Sequence, residues 1–368
     1  MSANKLRWGF LGAAQIARKN WKAIRNTGNS TVIAVASRDM KRSRRFIAEC
    51  QADTPVEAAP KALGSYEELL ASKDVDAVYI PLPTGLRKGW VIRAAEAGKH
   101  IVCEKPCATS VADLGEMLDA CRRHRVQFMD GVMFMHSRRL DCIRDVLNDG
   151  TSIGDVKRIT SAFSFPGDEQ FFASNIRVNS ALEPFGCLGD LGWYNIRLAL
   201  WVTNELLPRR VTGRILKEVA GPNSPVPVPA EFSGELLFAN GVSAGFYCSF
   251  LAHDEQWATV SGTKGYLRLS DFVLPFFGNE SSFDVNQAAF NVAGCNFNME
   301  AHWRRFAVPE YSNSHVTAQE TNLFRNFAEQ VRAGRLNDAW PDIALKTQRV
   351  MAACFDSARA DSRPVDLA

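Results

Sequence analysis

Short apolar runs alternate with amphipathic stretches through the first third of the chain. The runs at 6–11, 31–36, 77–80, 100–103 and 127–130 have the length and composition of buried strands. Between them, 15–26, 40–49, 66–71, 88–97 and 111–124 have the spacing of helices with one apolar face. Gly98 follows the fourth helical stretch as a stop, and Ser110 precedes the fifth as an N-cap. Strands and helices in strict alternation predict βαβ units on a parallel sheet.

The pattern then changes. Strand-like runs at 156–165, 211–219, 231–238, 242–250 and 257–269 follow one another, punctuated by Gly221-Pro222-Asn223, Asn240-Gly241 and Gly262-Thr263-Lys264-Gly265. Asn240-Gly241 between two apolar runs predicts a tight hairpin. The Pro-rich stretch 222–229 reads as a loop between two of these strands. Helical periodicity returns at 317–334 and 342–359, and there is no internal repeat. The expected fold class is α/β in two units. The first, 1–131, is a parallel α/β unit; the second, 132–368, is α+β on a large, mostly antiparallel open sheet, with C-terminal helices able to pack back on the first unit. Such a sheet needs a cover on both faces. Helices supply one, and the other is a candidate interface between copies.

Composition narrows the partners. The chain has 368 residues, 46% hydrophobic and 23% charged, with a net charge of +3. That balance does not suggest an electrostatic nucleic-acid binder. The densest basic cluster, Lys41-Arg42-Ser43-Arg44-Arg45, is weighed as a solvated helix face against a nucleic-acid or membrane role. The first strand begins almost at once, with no charged-then-apolar leader and no run of membrane-spanning length, so a cytoplasmic protein is expected. Nine cysteines are scattered singly without a Cys-x-x-Cys pair, which fits reduced thiols. No spacing of His, Cys, Asp and Glu resembles a metal site, and no metal is expected.

The junction of the first strand and helix carries the first chemistry. Against G-x-G-x-x-G it reads Gly12-x-Ala14-x-x-Ala17: a tight turn at Gly12, then small residues where a pyrophosphate nears the backbone. Ala14, Gln15 and Ile16 begin a helix whose N–H groups and dipole suit phosphate. A bare strand–helix turn is the alternative. After the second strand comes Ser37-Arg38-Asp39. A hydroxyl and a guanidinium there, with Arg42 one turn on, favour the 2′-phosphate of NADP; the alternative is NAD, with Asp39 on the ribose. Pro81, Leu82 and Pro83 form a rigid loop that either lies along the cofactor or is a plain turn.

Glu104-Lys105-Pro106 ends the strand 100–103, at the rim where open sheets bind ligands. Lys105 is either a surface lysine or a proton carrier, its pKa lowered by partial burial beside a cationic nicotinamide. Further on, Gly186-Cys187-Leu188-Gly189-Asp190-Leu191-Gly192-Trp193-Tyr194 leads into a helical run at 195–201. Asp190 and Tyr194 share one helix face, where a carboxylate and a phenol can grip a polyol. The alternative makes Asp190 a cap and Tyr194 core. His136 either lines the cleft or is structural, and Arg177 either binds a substrate oxygen or is simply exposed.

Together and in this order, Gly9–Ala17, Ser37-Arg38-Asp39, Glu104-Lys105-Pro106 and Gly186–Tyr194, with Gly262-Thr263-Lys264-Gly265-Tyr266-Leu267-Arg268, resemble the glucose–fructose oxidoreductase / inositol dehydrogenase / MocA family of NAD(P)-dependent oxidoreductases. The resemblance implies a Rossmann domain, then a domain whose large open sheet mediates homodimers or homotetramers. It implies hydride transfer between nicotinamide and a hydroxyl or carbonyl carbon of a sugar, polyol or related cyclic compound. Lys105 matches the catalytic lysine, Asp190 the substrate-orienting aspartate, and Tyr194 a position that is His or Tyr across members. Tyr194 and the Ser-Arg pair look most like the dihydrodiol dehydrogenase and NADP-dependent xylose dehydrogenase branch. Arg87 stands where many members have histidine. The resemblance also implies a cis peptide bond before Pro106. Two other readings on the same fold are a non-catalytic nucleotide-sensing regulator and a glycosidase using tightly bound NAD. Retention of Lys105, Asp190 and Tyr194 argues against the first, and the Ser37-Arg38 pair against the second.

Overall fold

The computed structural model describes residues 5–367, so the first four residues and the last residue of the expected units lie outside it. Among the described residues, a six-stranded parallel sheet comes first: β1 (Leu6–Leu11), β2 (Ser30–Ala36), β3 (Lys61–Leu63), β4 (Ala77–Ile80), β5 (His100–Cys103) and β6 (Phe128–Asp130), in the order β3-β2-β1-β4-β5-β6. The order reverses between β1 and β4, which opens a crevice beyond their carboxyl ends. The connecting helices are α1 (Gln15–Asn26), α2 (Met40–Asp53), α3 (Tyr66–Ala71), α4 (Thr84–Glu96) and α5 (Val111–Arg123). Ser110 caps α5 by accepting from the Asp113 N–H, and Gly98 takes φ +71° after α4.

Helix α4 starts at Thr84, four residues ahead of the periodicity in the sequence. The reason lies far along the chain. Glu183 accepts from the Thr84 N–H at 3.0 Å and from its hydroxyl at 2.5 Å, a cap supplied by tertiary contact. The edge strand β3 is too short to leave a pattern. The amphipathic helix α6 (Arg139–Asn148) buries Leu140, Ile143 and Val146 at helical spacing, a signal that was present in the sequence.

The second sheet has nine strands in the order β16-β13-β12-β11-β7-β10-β9-β8-β17. They are β7 (Val156–Ser164), β8 (Arg210–Val219), β9 (Val228–Leu237), β10 (Ser243–Ser249), β11 (Glu255–Gly262), β12 (Tyr266–Leu269), β13 (Glu280–Asn286), β16 (Trp303–Pro309) and β17 (Val365–Asp366). Neighbours run antiparallel except β7 and β10. The run at 257–269 divides into β11 and β12 around its Gly-Thr-Lys-Gly turn. Gly241 turns β9 into β10 with φ +83°, as its Asn-Gly pair predicts. Between β13 and β16, a separate two-stranded ribbon of β14 (Ala289–Ala293) and β15 (Asn296–Glu300) leaves the sheet edge.

Helices α8 (Trp193–Val202) and α10 (Ala339–Arg359) cover one face of this sheet. A short α7 (Glu169–Ser174) stands beside its Phe165 and Phe250. Helix α9 (Gln319–Arg332) crosses back under the first sheet, where Phe324 and Phe327 meet Trp8 at ring separations of 5.2 and 5.3 Å. Asp130, at the end of β6, ties these parts together. It accepts from the Arg197 guanidinium at 2.6 Å and from the Trp193 indole at 3.1 Å, while Arg197 also donates to Thr347 of α10.

Candidate active site

The phosphate loop is built as its small residues require. Gly12 takes φ +128°, and a Cβ there would stand 3.3 Å from Leu82. Helix α1 begins after Ala14 with no side-chain cap and no acidic residue in its first turn, so its positive end stays available to an anion. A cavity of about 1230 Å³ opens at this helix end; Ala14, Gln15, Ile16, Pro81, Leu82, Glu104 and Lys105 line its near wall. Pro83 does not line it and instead precedes α4 as its N-cap residue. A dinucleotide fits this donor set: free helix N–H groups, a glycine kept clear of side chain, and cations beside it.

Those cations are Arg38 and Arg42. Both act on the Tyr66 phenol, whose oxygen lies 4.0 Å from where a Gly12 Cβ would sit. Burial raises the Tyr66 pKa and the two guanidinium charges oppose it. Ser37 departs from its expected role. Its hydroxyl is buried, donates to the Asp39 carbonyl at 2.6 Å and accepts from Ser43, so it fixes the turn. Asp39 is also committed, capping α2 by accepting from the Lys41 N–H. The cap uses one carboxylate oxygen of Asp39, and both Asp39 and Arg38 are exposed.

At the inner end of the cavity, Lys105, Asp190 and Tyr194 meet. Lys105 Nζ donates to the Asp190 carbonyl oxygen at 2.6 Å and to Oδ1 at 2.7 Å, and sits 4.6 Å from the centre of the Tyr194 ring. Arg177 Nε donates to the other carboxylate oxygen at 2.6 Å. The Lys105–Pro106 bond is cis. Asp190 is carried on a π-turn, Leu188–Gly192, that runs into α8; such an insertion re-aims side chains and often marks functional sites. Behind Lys105, Glu104 accepts from the Tyr79 hydroxyl at 2.5 Å, and Tyr79 accepts from Asn20 at 2.7 Å.

The charges decide the protonation. Burial pushes the Asp190 carboxyl up, but Arg177 and Lys105 outweigh it and hold the pKa well below the carboxylate range. Burial pushes Lys105 down, yet the attraction of Asp190 and Tyr194 leaves its pKa above that of a free lysine. The expected lowering counted burial and a neighbouring cationic nicotinamide; the Asp190 carboxylate in contact adds an opposing charge that outweighs burial. Burial raises Tyr194 as well, against the opposing charge of Lys105. Both groups keep their protons at neutral pH.

His136 lies away from the cleft. Its ring packs edge-on against Trp340 at 6.2 Å and meets the Asn326 amide at 3.1 Å, and burial lowers its pKa to about 4. The short helical turn that carries it, Met133–His136, packs against α9, where Asn322 donates to the His136 carbonyl. Arg87 was flagged only as an unusual residue. It is buried and donates to the Leu82 carbonyl at 2.6 Å and to the Pro106 carbonyl, so it clamps the two loops that flank Lys105. Glu183 and the outer wall formed by Phe163, Trp257, Arg268 and Phe276 also line the cavity; of these only Arg268 fell within a segment that the sequence singled out.

Comparison with known proteins agrees with this architecture. Residues 6–132 match the oxidoreductase family with an NAD-binding Rossmann fold, and residues 142–268 match the GFO/IDH/MocA C-terminal domain. The chain is 30% identical to the trans-1,2-dihydrobenzene-1,2-diol dehydrogenase of Bos taurus over 72% of its own length and 74% of that protein's. It is 36% identical to a dTDP-3,4-didehydro-2,6-dideoxy-alpha-D-glucose 3-reductase of Saccharopolyspora spinosa over 53% of its length, a match that spans just 55% of the reductase. In fold it resembles a 3-ketoreductase of Actinomadura kijaniata solved with TDP-benzene and NADP, with a TM-score of 0.76 at 24% identity and 98% coverage of both chains.

Proposed function

Because the chain belongs to the Gfo/Idh/MocA family of oxidoreductases, we propose that it is an NADP-dependent dehydrogenase or reductase acting on a hydroxyl or carbonyl carbon of a sugar, polyol or related cyclic compound. One observation carries the reading: Lys105, Asp190 and Tyr194 converge at the inner end of a cavity that begins at a phosphate-binding helix end. The unit at 1–131 holds the dinucleotide through Gly12, Ala14, Gln15, Ile16, Pro81 and Leu82, with Arg38 and Arg42 toward a 2′-phosphate. The unit at 132–368 presents Asp190, Tyr194 and Arg177 to the substrate. When bound, the nicotinamide supplies or takes up hydride.

The protein's own groups manage the proton. Two of the three Lys105 N–H donors are spent on Asp190, which fixes the ammonium and leaves one donor for a ligand oxygen. Asp190 stays ionised and accepts from a neighbouring substrate hydroxyl. With raised values, Lys105 and Tyr194 hold their protons at neutral pH and can give one to a carbonyl oxygen in reduction; in oxidation the same groups take it back. Orientation contributes much of the rest.

Asp190→Asn tests this arrangement through pH. In the wild type Asp190 raises Lys105, and removing its charge leaves burial to lower it. The alkaline limb of kcat/KM for reduction should therefore move to lower pH by about one unit or more. An unshifted limb would detach Lys105 and Asp190 from the proton step. For the cofactor, Arg38→Ala should raise the KM for NADP roughly tenfold to hundredfold, the loss expected of a charge-assisted hydrogen bond. It should leave NAD kinetics nearly unchanged. Equal effects on both cofactors would place the 2′-phosphate elsewhere.

The bare face of the nine-stranded sheet is, on this reading, where copies of the chain associate as a dimer or tetramer. It carries partly exposed Tyr247 and Trp257, the Arg158–Glu235 ion pair and Arg214. We place the protein in the cytoplasm because its nine cysteines are free thiols, most of them buried. Among the described residues, no helix is long and apolar enough to cross a membrane, and none of the His, Cys, Asp and Glu groupings suits a metal ion.

A further inference from the structure

The β14–β15 ribbon presents an apolar face to water. Its register pairs Phe290 with Met299 and Val292 with Phe297, so these four side chains stand on one side. They are 56 to 72% exposed. The opposite side is polar: Asn291 pairs with Asn298 and donates to Glu300. Alternation of this kind belongs to a ribbon with one face buried and one solvated. A two-stranded ribbon alone is also marginal in water, so something must cover the apolar side. At its root, Trp303 is 49% exposed and stands edge-on to Tyr266 at 5.6 Å. The apolar surface thus runs from the ribbon onto the bare sheet face.

We infer that the ribbon is an arm that closes over a second copy of this chain, with its apolar side on the partner's β8–β9 pair at Leu237, which lies in the same cross-strand row as Trp303. The inference rests on the bare sheet face being the interface between copies, and adds a clasp to it. A two-fold axis along the strands, through the middle of the sheet, lays each β16 edge over the β8 edge of the other copy, because these strands lie near opposite ends of the sheet. Leu237 is 36% exposed there. Area supports a second copy as the occupant. The four ribbon side chains and Trp303 offer on the order of 600 Å² per copy. Two arms together supply roughly 1,200 Å², the lower bound of a stable interface before the sheet faces are added.

Light scattering after size exclusion, at micromolar concentration, tests the arm. The wild type should have at least twice the mass of one chain. Phe290→Ser with Phe297→Ser should halve that mass while the far-ultraviolet spectrum is kept, and Leu237→Arg on the facing strand should do the same. Asn291→Ser with Asn298→Ser, on the polar side, should keep the wild-type mass. Thr160→Arg, in the middle of the sheet face, separates the two ideas. If it halves the mass while the Phe290/Phe297 variant does not, the interface stands and the arm falls. A monomeric wild type overturns both.

Discussion

Replacing Lys105 with alanine should lower turnover about a thousandfold or more while the protein still binds NADP. The expectation follows from where the ammonium sits. It touches both Asp190, through two hydrogen bonds, and the Tyr194 ring. Its loss removes a proton carrier and also releases Asp190 to Arg177 alone. Asp190 stays paired through that guanidinium, so the variant should fold. Dinucleotide affinity, read by quenching of protein fluorescence, should change by less than about threefold, since the helix end and the Arg38 side lie apart from the lysine. Lys105→Met, which keeps the length of the side chain, should be as inactive as the alanine variant. Turnover near the wild-type value in either variant would remove Lys105 from the chemistry.

The second large effect concerns stability. Arg197→Met should cost about 3–5 kcal/mol, because it leaves the Asp130 carboxylate buried with only an indole N–H for company. Both side chains of the pair are nearly inaccessible, at 2 and 3% exposure. The pair joins β6, α8 and Thr347 of α10, so the loss falls on the junction between the two sheets. A urea titration followed by circular dichroism should show the midpoint falling with little change in slope. Asp130→Leu combined with Arg197→Met should recover much of the loss, since neither charge is then stranded. A single variant as stable as the wild type would mean that water reaches Asp130.

Much of this could be read from the chain alone. The apolar runs of β1, β4 and β5 and the periodicity of α1 and α3 were local signals, and the elements have those bounds. Lys105, Asp190 and Tyr194 were legible because a strand end and a glycine-rich loop marked them. What escaped was set by contacts across the chain. The start of α4 depends on Glu183, ninety-nine residues away. The raised pKa of Lys105 depends on a carboxylate eighty-five residues away. Ser37 looked like a phosphate ligand because its type suits one, but Ser43 and the Asp39 carbonyl take its hydroxyl. His136 sat in a promising loop whose path only packing against Trp340 and α9 decides. The π-turn under Asp190 has no counterpart in residue spacing, since Asp190 and Tyr194 read equally well on an ordinary helix.

A crystal structure with NADP bound tests the central claim most directly. The account predicts the nicotinamide ring in the cavity beside Lys105 and Tyr194, the pyrophosphate at the N-terminus of α1, and the 2′-phosphate against Arg38. A dinucleotide bound with its nicotinamide outside that cavity, or with Lys105 turned away from it, would contradict the assignment of Lys105, Asp190 and Tyr194 as the reacting site.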